Sequence, residues 1–258
     1  MQEKYVILID VDETLVENGK TKVSSKVLES LEYARSKGNI LAISTGRSVV
    51  TTKAIDGYKH FDYIACLMGS VIYSTKEDKI IYEDKNKINS EYVKPLIKYF
   101  IDSKCEWTYK DDNEDKSTLD ISKFGNRFNA KIITKDEVNK DIENNKIFQL
   151  LASKNAINDE IIDTYKDLDF VFMPGDYYDI LKKGSSKANV VKYFKQHFPK
   201  YNIVAIGDSN NDIPMLETAD ISIAMGNANQ TVLNMCNFVT KTLKEDGVSY
   251  AIREILKI

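Results

Sequence analysis

Residues 5–16 read YVILIDVDETLV, and the first five of them carry no charge and are mostly branched and apolar. Such a run predicts a strand that is buried on both faces of a parallel sheet. Asp10 and Asp12 follow it directly. Ligands of open α/β sheets lie beyond the carboxyl ends of the strands, so this pattern places both acids where a ligand would bind.

Two carboxylates this close need a compensating group. At a separation of about 4 Å and an effective dielectric of about 20, two ionised carboxylates repel each other by about 4 kcal/mol. A bound cation or a retained proton would relieve the repulsion. Taken alone, the Asp-x-Asp pair is more often an acidic turn after a strand, so its functional meaning depends on the rest of the chain.

The composition excludes several classes of protein. A length of 258 residues suits one large domain, or a core domain with a smaller one. Lys and Arg total 36 against 39 Asp and Glu, a net charge of -3 that argues against electrostatically driven binding to nucleic acid. No apolar run approaches the roughly 20 residues that cross a bilayer, and the first residues lack the features of a signal peptide. We therefore expect a cytoplasmic protein without a membrane partner.

The cysteines and histidines indicate neither a zinc site nor a hydrolase triad. Cys66, Cys105 and Cys236 lie far apart in the sequence and form no Cys-x-x-Cys pair, which fits a reducing compartment. His60 and His197 each stand next to a phenylalanine in otherwise polar surroundings. We expect both histidines at the surface, which argues against a Ser-His-Asp mechanism.

Buried strands alternate with amphipathic helices in the first and last thirds of the chain. This alternation predicts right-handed βαβ units, in which the ends of neighbouring parallel strands face the same way. Thr45, which follows the second strand, is therefore expected near Asp10. The predicted strands are 5–9, 40–44, 63–67, 203–206 and 221–225, with a hairpin at 71–82 and with helices at 25–38, 48–58, 185–194, 214–219, 230–236 and 248–256.

The middle of the chain has a different character. Its strands are shorter and more mixed in polarity, which predicts an antiparallel sheet with one face covered by helices. We expect a core domain formed by residues 1–83 and 183–258, and an inserted α+β module at 84–182. The acidic run 111–115 is expected to be a solvated loop. The aromatic residues of the insert would form its core or contact a ligand; they are Trp107, Tyr109, Tyr177 and Tyr178.

Taken in order, the polar strand ends resemble the motifs of the haloacid dehalogenase superfamily, and within it those of the Cof-type sugar-phosphatase branch. The resemblance covers the core on both sides of the insert, and the fourth motif is the most specific. The four motifs are DVDET at 10–14, STGR at 44–47, Lys187, and GDSNND at 207–212, followed by AMGNA at 224–228 and EDGV at 245–248.

The resemblance implies an α/β fold, with a Rossmann-like parallel-sheet core and an inserted α+β cap that selects the substrate. It also implies a magnesium-dependent phosphatase that acts on small phosphorylated metabolites, sugar phosphates above all, through an aspartyl-phosphate. Because a phosphate monoester is a dianion, an anionic nucleophile can approach it only if cationic groups offset the repulsion.

By the same resemblance, Asp10 is the nucleophile and the side chain of Asp12 is the general acid and base. Magnesium would be held by Asp10, by the backbone carbonyl of Asp12 and by Asp208. Asp212 would act as a further ligand or would order the metal's waters.

Other residues of the motifs would bind the transferring phosphoryl group or the rest of the substrate. Thr45 with Gly46 and Lys187 would hold the phosphoryl group, and Asn211 would support Lys187 or the phosphate. Arg47 would pair with a carboxylate or touch the substrate, and Met68 and Gly69 would face the substrate.

Two positions depart from the family pattern. Glu13 stands where much of the family has glycine, and Met68 precedes Gly69 where the branch usually shows asparagine.

The sequence leaves three alternative functions open. They are a phosphomutase or another phosphotransferase on the same core, a phosphate-accepting signalling domain, and a catalytically silent binding protein. The sequence does not fix the oligomeric state.

Overall fold

The computed structural model describes residues 3–84, 87–118, 130–173 and 175–258. The chain divides into two compact units, each described by itself below. The first unit comprises the residues up to Arg47 together with Thr51–Glu83 and Ser186–Ile258. The second comprises Ser48–Val50 and Asp84–Ser185. In the described part of the chain, no helix is both long enough and apolar enough to cross a membrane.

The helices and strands of the described residues occur in the following order along the chain. The first third contains β1 (Tyr5–Ile9), α1 (Ser25–Ser36), β2 (Ile40–Ser44), α2 (Val49–Lys53), β3 (Tyr63–Cys66), β4 (Val71–Ser74) and β5 (Lys79–Glu83). The middle contains α3 (Ser90–Asp102), β6 (Trp107–Lys110), β7 (Asp115–Ser117), β8 (Lys131–Ile132), α4 (Lys135–Glu143), β9 (Gln149–Ser153), α5 (Asp159–Thr164), β10 (Leu168–Met173) and β11 (Tyr177–Lys182). The last third contains α6 (Ala188–His197), β12 (Asn202–Gly207), α7 (Ile213–Thr218), β13 (Ile221–Ala224), α8 (Gln230–Met235), β14 (Phe238–Val239) and α9 (Gly247–Tyr250).

The first unit is built on an eight-stranded sheet in the order β14-β13-β12-β1-β2-β3-β4-β5. The strands from β14 to β3 are parallel, and β4 and β5 add an antiparallel hairpin at one edge. All five residues of β1 are buried, as expected for an apolar strand inside a parallel sheet. The predicted α/β core is therefore confirmed.

The sheet topology brings three polar strand ends together. β1 lies between β12 and β2, and it is parallel to both. Asp10 follows β1, Thr45 follows β2 and Asp208 follows β12, so all three lie at the same edge of the sheet. The backbone N–H of Asp10 donates to the carbonyl of Ile206 at 3.0 Å, which fixes the start of the loop after β1.

Local signals explain the first crossover helix. The Ser24 side chain caps α1 by accepting a hydrogen bond from the N–H of Val27 at 3.3 Å. Val27, Leu31 and Ala34 form the buried face of the helix. The helix ends just before Gly38, whose φ of 82° is the left-handed conformation typical of a helix C-terminus.

The second unit contains a six-stranded sheet in the order β10-β11-β9-β6-β7-β8, antiparallel except between β7 and β8. Residues of α3 and α4 pack with one face of this sheet in a single apolar cluster. Trp107 and Tyr109 belong to that cluster, and Tyr178 packs against it. The aromatic residues of β6 are therefore part of the core of this unit. The predicted α+β architecture is also confirmed.

The structure corrects two predicted helices. A helix was expected at residues 48–58, but α2 spans only Val49–Lys53 and a 3₁₀ turn follows at Tyr58–His60. The β-branched run Val-Val-Thr-Thr disfavours a longer helix, and Gly57, with a left-handed φ of 86°, precedes the 3₁₀ turn. The expected final helix is α9 followed by a π-helical turn at Ala251–Ile255.

The acidic run at 111–115 is not simply a solvated loop. Asp111 is 5% exposed, and its Oδ1 accepts hydrogen bonds from the N–H groups of Asn113 and Glu114. Its other oxygen lies 2.6 Å from the ammonium of Lys116. Asp115 begins β7. The sequence shows the charge of this run, whereas its burial depends on a lysine that comes from the next strand.

Candidate active site

The centre of the candidate site is the buried ammonium of Lys187, which lies immediately before α6. Its Nζ donates to Asp10 Oδ1 at 2.5 Å and to Asp212 Oδ1 at 2.6 Å. The lysine is 1% exposed, and a charge this deeply buried is stable only when it is paired. Burial lowers the pKa of Lys187, but the charges of Asp10 and Asp212 outweigh burial and hold the pKa above its usual value.

Asp212 is fixed by the backbone of the loop that it terminates. Its Oδ2 accepts hydrogen bonds from the N–H groups of Asp208 and Ser209, both at 3.1 Å. A Cβ at Gly207 would lie 2.7 Å from Asp212 Cγ, so glycine is needed there for the carboxylate to approach the backbone. The remaining oxygen of Asp212 is thereby aimed at Lys187.

Asp208 completes a cluster of three carboxylates. Its Oδ1 accepts a hydrogen bond from the Thr14 hydroxyl at 2.9 Å. Burial, followed by the charge of Asp212, raises the pKa of Asp208 to about 7. Burial and Asp212 also raise the pKa of Asp10 well above its usual value, although Lys187 acts in the opposite direction. Burial disfavours the ionised form of both carboxyls, and the neighbouring charge of Asp212 adds to that effect.

This cluster fits a divalent cation. Asp10, Asp208 and Asp212 each offer one carboxylate oxygen, and the three oxygens lie within 4.8 Å of one another. Hard oxygen donors of this kind suit Mg²⁺. A cation would also favour the ionised form of Asp208, against the burial and the Asp212 charge that raise its pKa.

The side chain of Asp12 is engaged with Arg47. The guanidinium donates from Nε to Asp12 Oδ2 at 3.0 Å and from Nη2 to Oδ1 at 2.5 Å. A bidentate pair of this kind fixes both the position and the plane of the carboxylate. Arg47 therefore pairs with a carboxylate, which was one of the two alternatives that the sequence left open. The Asp12 side chain is 38% exposed, in contrast to the three carboxylates of the cluster.

Thr45 lies at the end of β2, next to these groups in the sheet order. Its N–H donates to the carbonyl of Ala65 at 2.9 Å, and its hydroxyl accepts from the N–H of Arg47 at 3.1 Å. Its carbonyl accepts from the N–H of Met68 at 3.2 Å. A Cβ at Gly46 would lie 3.0 Å from Met68 Cε. The residues after β2 and β3 thus form one interlocked pair of loops.

Both departures from the family pattern stand at backbone positions that favour the family's residue. Leu67, Met68 and Gly69 have φ of 52°, 55° and 84°, three consecutive left-handed residues. Asparagine tolerates this region better than methionine does. Glu13 also lies in it, with a φ of 60°, where glycine would be unstrained.

For Asn211 the sequence left two roles open, support of Lys187 or of the phosphate. The Asn211 Oδ1 accepts a hydrogen bond from the Ser209 hydroxyl at 2.7 Å, and no bond from Asn211 to Lys187 is among those of the described residues. Thr14 was quoted within the first motif without a role, and the structure places its hydroxyl on Asp208. Its position two residues after Asp12 was the available signal.

Comparison with known proteins agrees with this geometry. Residues 7–252 match the family model described as haloacid dehalogenase-like hydrolase. The chain is 27% identical to the Bacillus subtilis protein YxeH, provisionally named a phosphatase, over 97% of this chain and 98% of the relative. It is also 27% identical to the 5-amino-6-(5-phospho-D-ribitylamino)uracil phosphatase YcsE of Bacillus subtilis, over 96% of this chain and 94% of the relative.

A solved structure supports the fold. The sugar phosphatase BT4131, of haloacid dehalogenase subclass IIB, superposes with a TM-score of 0.78 at 22% identity, and the match covers 99% of this chain and 100% of that one. The family match extends over nearly the whole chain and includes every loop of the candidate site. The chain therefore belongs to the haloacid dehalogenase-like hydrolases and is a phosphatase of that family.

Proposed function

We propose that this phosphatase hydrolyses small phosphorylated metabolites of the sugar-phosphate class, with magnesium, through a phosphoryl group carried on Asp10. One observation carries the proposal. The ammonium of Lys187 is buried between Asp10 and Asp212, and Asp208 stands beside them. A carboxylate can attack a phosphate dianion only where such positive charge is already in place.

Asp10 supplies the nucleophile. Lys187 bonds one of its oxygens, Oδ1, and the other oxygen is available to attack phosphorus. As the new O–P bond forms, the P–O bond to the leaving group breaks, and Asp10 becomes an aspartyl-phosphate. In the second step a water oxygen attacks the same phosphorus, which releases inorganic phosphate and restores the carboxylate.

Asp12 moves the protons in both steps. It donates a proton to the leaving oxygen in the first step and takes one from the attacking water in the second. A protonated carboxyl keeps fewer acceptor sites than a carboxylate does. Arg47 donates to both oxygens of Asp12, so one of these bonds must weaken whenever Asp12 carries a proton. In this proposal, Arg47 holds Asp12 in place between the two transfers.

Magnesium would be held by Asp10, Asp208 and Asp212, with the backbone carbonyl of Asp12 as a further ligand. When bound, the ion supplies positive charge that offsets the repulsion between the nucleophile and the phosphate. Asp212 keeps its backbone hydrogen bonds throughout, because its Oδ2 is directed to the N–H groups of Asp208 and Ser209.

Thr45 with Gly46, Lys187 and Asn211 would bind the phosphoryl oxygens. Lys187 contributes a point charge and Thr45 contributes a hydroxyl donor. The Asn211 Oδ1 is engaged with Ser209, so its amide N–H₂ is the group that would face the phosphate. Beyond the phosphoryl group, Arg47, Met68 and Gly69 would contact the rest of the substrate.

The substrate class is supported by the relatives. BT4131 is a sugar phosphatase, and YcsE acts on a phosphorylated ribityl compound. Both names describe a phosphate ester of a small polyol-like molecule. We propose the same class here, with residues 1–83 and 183–258 as the catalytic core and 84–182 as the cap that selects the leaving group.

The test is phosphate release from p-nitrophenyl phosphate and from a panel of sugar phosphates, with about 5 mM Mg²⁺ or with a chelator. We expect magnesium-dependent turnover that Asp10→Asn lowers by at least about 10³-fold, because the amide cannot form the intermediate. A phosphorylated adduct that is trapped on the wild type and absent from Asp10→Asn would support the covalent step. Turnover that survives the substitution would overturn it.

A further inference from the structure

Asn227 connects two loops of the first unit through backbone groups. It lies between β13 and α8, and its side-chain Nδ2 donates to the carbonyl of Glu13 at 2.8 Å. Its Oδ1 accepts from the N–H of Leu243, also at 2.8 Å. Because both partners are backbone groups, the amide ties the two loops together independently of their side chains.

The Glu13 end of this bridge is the residue that follows Asp12. Glu13 has a φ of 60°, a conformation that a glutamate adopts reluctantly. Its N–H donates to the carbonyl of Val16 at 2.8 Å, which closes the turn on one side. The bond from Asn227 holds the carbonyl on the other side. These two bonds hold the Glu13 backbone on both sides, within a turn that the N–H groups of residues 14–16 also close by donating to the carbonyl of Val11.

The same β13–α8 loop also contacts the strand end at Asp208. The N–H of Asn229 donates to the carbonyl of Asp208 at 3.2 Å, and the N–H of Met225 donates to the carbonyl of Gly207 at 2.9 Å. One loop is therefore hydrogen-bonded to both of the loops that present the candidate carboxylates.

Glu13 is not held in its conformation by side-chain packing. Glu13 and Asn227 are both exposed, and a cavity of about 490 Å³ lies beside them, with Leu243 also in its wall. Hydrogen bonds therefore hold Glu13 more than a surrounding core does, and they include one from the N–H of Asn18 to Glu13 Oε1 at 2.8 Å.

We propose that Asn227 is a positioning residue of this phosphatase: its amide holds Glu13 in the left-handed conformation and thereby places Asp12 for proton transfer. The proposal rests on the role proposed above for Asp12. Thr45 and Lys187, which would bind the phosphoryl group, belong to other segments of the chain, after β2 and before α6.

The informative substitution is Asn227→Asp, which keeps the acceptor for the Leu243 N–H and replaces the donor with an oxygen facing the Glu13 carbonyl. We expect kcat on p-nitrophenyl phosphate to fall by about tenfold or more, since small misplacements of a reacting group have effects of this size. Inhibition by orthovanadate, which reports on the phosphoryl site, should stay within about twofold of wild type.

The chain offers a matched control. Asn237 is also an exposed asparagine that accepts hydrogen bonds from a second segment, from the N–H of Ser222 at 2.8 Å and from its hydroxyl at 3.0 Å. Ser222 lies near the amino end of β13, away from the candidate carboxylates. Asn237→Ala and Asn227→Ala should both lower the melting temperature, but only Asn227→Ala should lower kcat.

Glu13→Gly provides the second test, because glycine adopts the left-handed conformation without strain. In the E13G background, Asn227→Asp should lower kcat by less than about threefold. An equal fall in both backgrounds, or an unchanged kcat in Asn227→Asp, would overturn the positioning role. Retention of turnover in Asp10→Asn would instead overturn the proposed mechanism, so the two failures are distinguishable.

Discussion

Each unit contains a lysine between two aspartates, and the two clusters differ in charge balance. In the second unit, Lys116 lies 2.6 Å from Asp111 and 2.8 Å from Asp141. In the first, Lys187 lies at 2.5 and 2.6 Å from its two partners. The distances are nearly the same, so geometry alone does not distinguish a structural cluster from a catalytic one.

The hydrogen bonds of the carboxylates explain the difference. In the second unit, Asp141 also accepts from the Tyr109 hydroxyl at 2.8 Å, and Asp111 accepts from two backbone N–H groups. Burial raises the pKa of Asp141, but Lys116 and Tyr109 outweigh it and lower that pKa below its usual value. The negative charge of this cluster is therefore satisfied by the protein itself.

The first unit adds a third carboxylate and leaves it without enough positive charge. The pKa of Asp208 rises to about 7 and that of Asp10 also rises, because burial and mutual repulsion exceed what Lys187 offsets. Raised pKa values of several carboxyls that face one another in a buried cluster are typical of functional sites. The two clusters thus differ in the pKa shifts of their carboxyls, whereas their lysine–aspartate distances are nearly the same.

The largest expected difference between the two clusters is in the effect of replacing their lysines on stability and kcat. Lys187→Met leaves Asp10 and Asp212 buried without a counter-charge, so we expect a loss of about 3–5 kcal/mol in unfolding free energy and of at least about 10³-fold in kcat. Lys116→Met should destabilise by about 1–3 kcal/mol, since its partners keep other hydrogen bonds. Denaturant melts and assays on p-nitrophenyl phosphate measure both variants.

For Lys116→Met, kcat at a temperature where the protein stays folded should remain within about threefold of wild type, because the ion-pair partners of Lys116 are Asp111 and Asp141, neither of which is a candidate site residue. Equal losses of activity in the two lysine variants would remove the distinction between the clusters.

The next effect is the pH dependence of Asp208 in the presence of chelator. Its folded pKa of about 7 is raised above the ordinary 3.8, so its contribution to stability is full below about pH 4 and is lost as the pH rises through 7. We therefore expect the unfolding free energy of Asp208→Asn to rise relative to that of wild type as the pH increases from 5.5. The slope should be about 1.4 kcal/mol per pH unit up to about pH 7 and should level off by pH 8.

Thermal melts at several pH values measure this difference. Added Mg²⁺ should raise the melting temperature of wild type more at pH 8 than at pH 5.5, since it binds the ionised carboxylates. The Asp208→Asn variant should show little of this response. A wild-type stabilisation by Mg²⁺ that is the same at both pH values would show that Asp208 does not titrate as the comparison requires.

The sequence predicts the carboxylates better than it predicts their partners. Asp10, Asp208 and Thr45 could be grouped because parallel strands end at one edge, and that rule needs only the order of the strands. The pairing of Asp12 with Arg47, and the bridge from Asn227, join residues far apart in the sequence. No local pattern encodes such contacts, since they depend on how the loops meet.

The same reason explains the corrections. Asp111 lies in a run that has the composition of a surface loop, and it is buried because β7 brings Lys116 next to it. The helix predicted at 48–58 is limited to α2, whose β-branched residues disfavour a longer helix. Tertiary contacts decide the first case, and local backbone preference decides the second.

The smallest effect is the pH dependence of Asp141, and its sign is opposite to that of Asp208. A folded pKa below the ordinary value means that the contribution to stability is present at pH 7 and is lost as the pH falls below about 4. Asp141→Asn should therefore destabilise by about 1–2 kcal/mol at pH 7 and by less at pH 3.5. Urea melts of the variant and of wild type at these two pH values measure the difference. If Asp141→Asn instead gained stability as the pH rose, as Asp208→Asn is expected to do, the two clusters would have the same charge balance. Only the presence of Asp208 near Asp10 and Asp212 would then distinguish the candidate site.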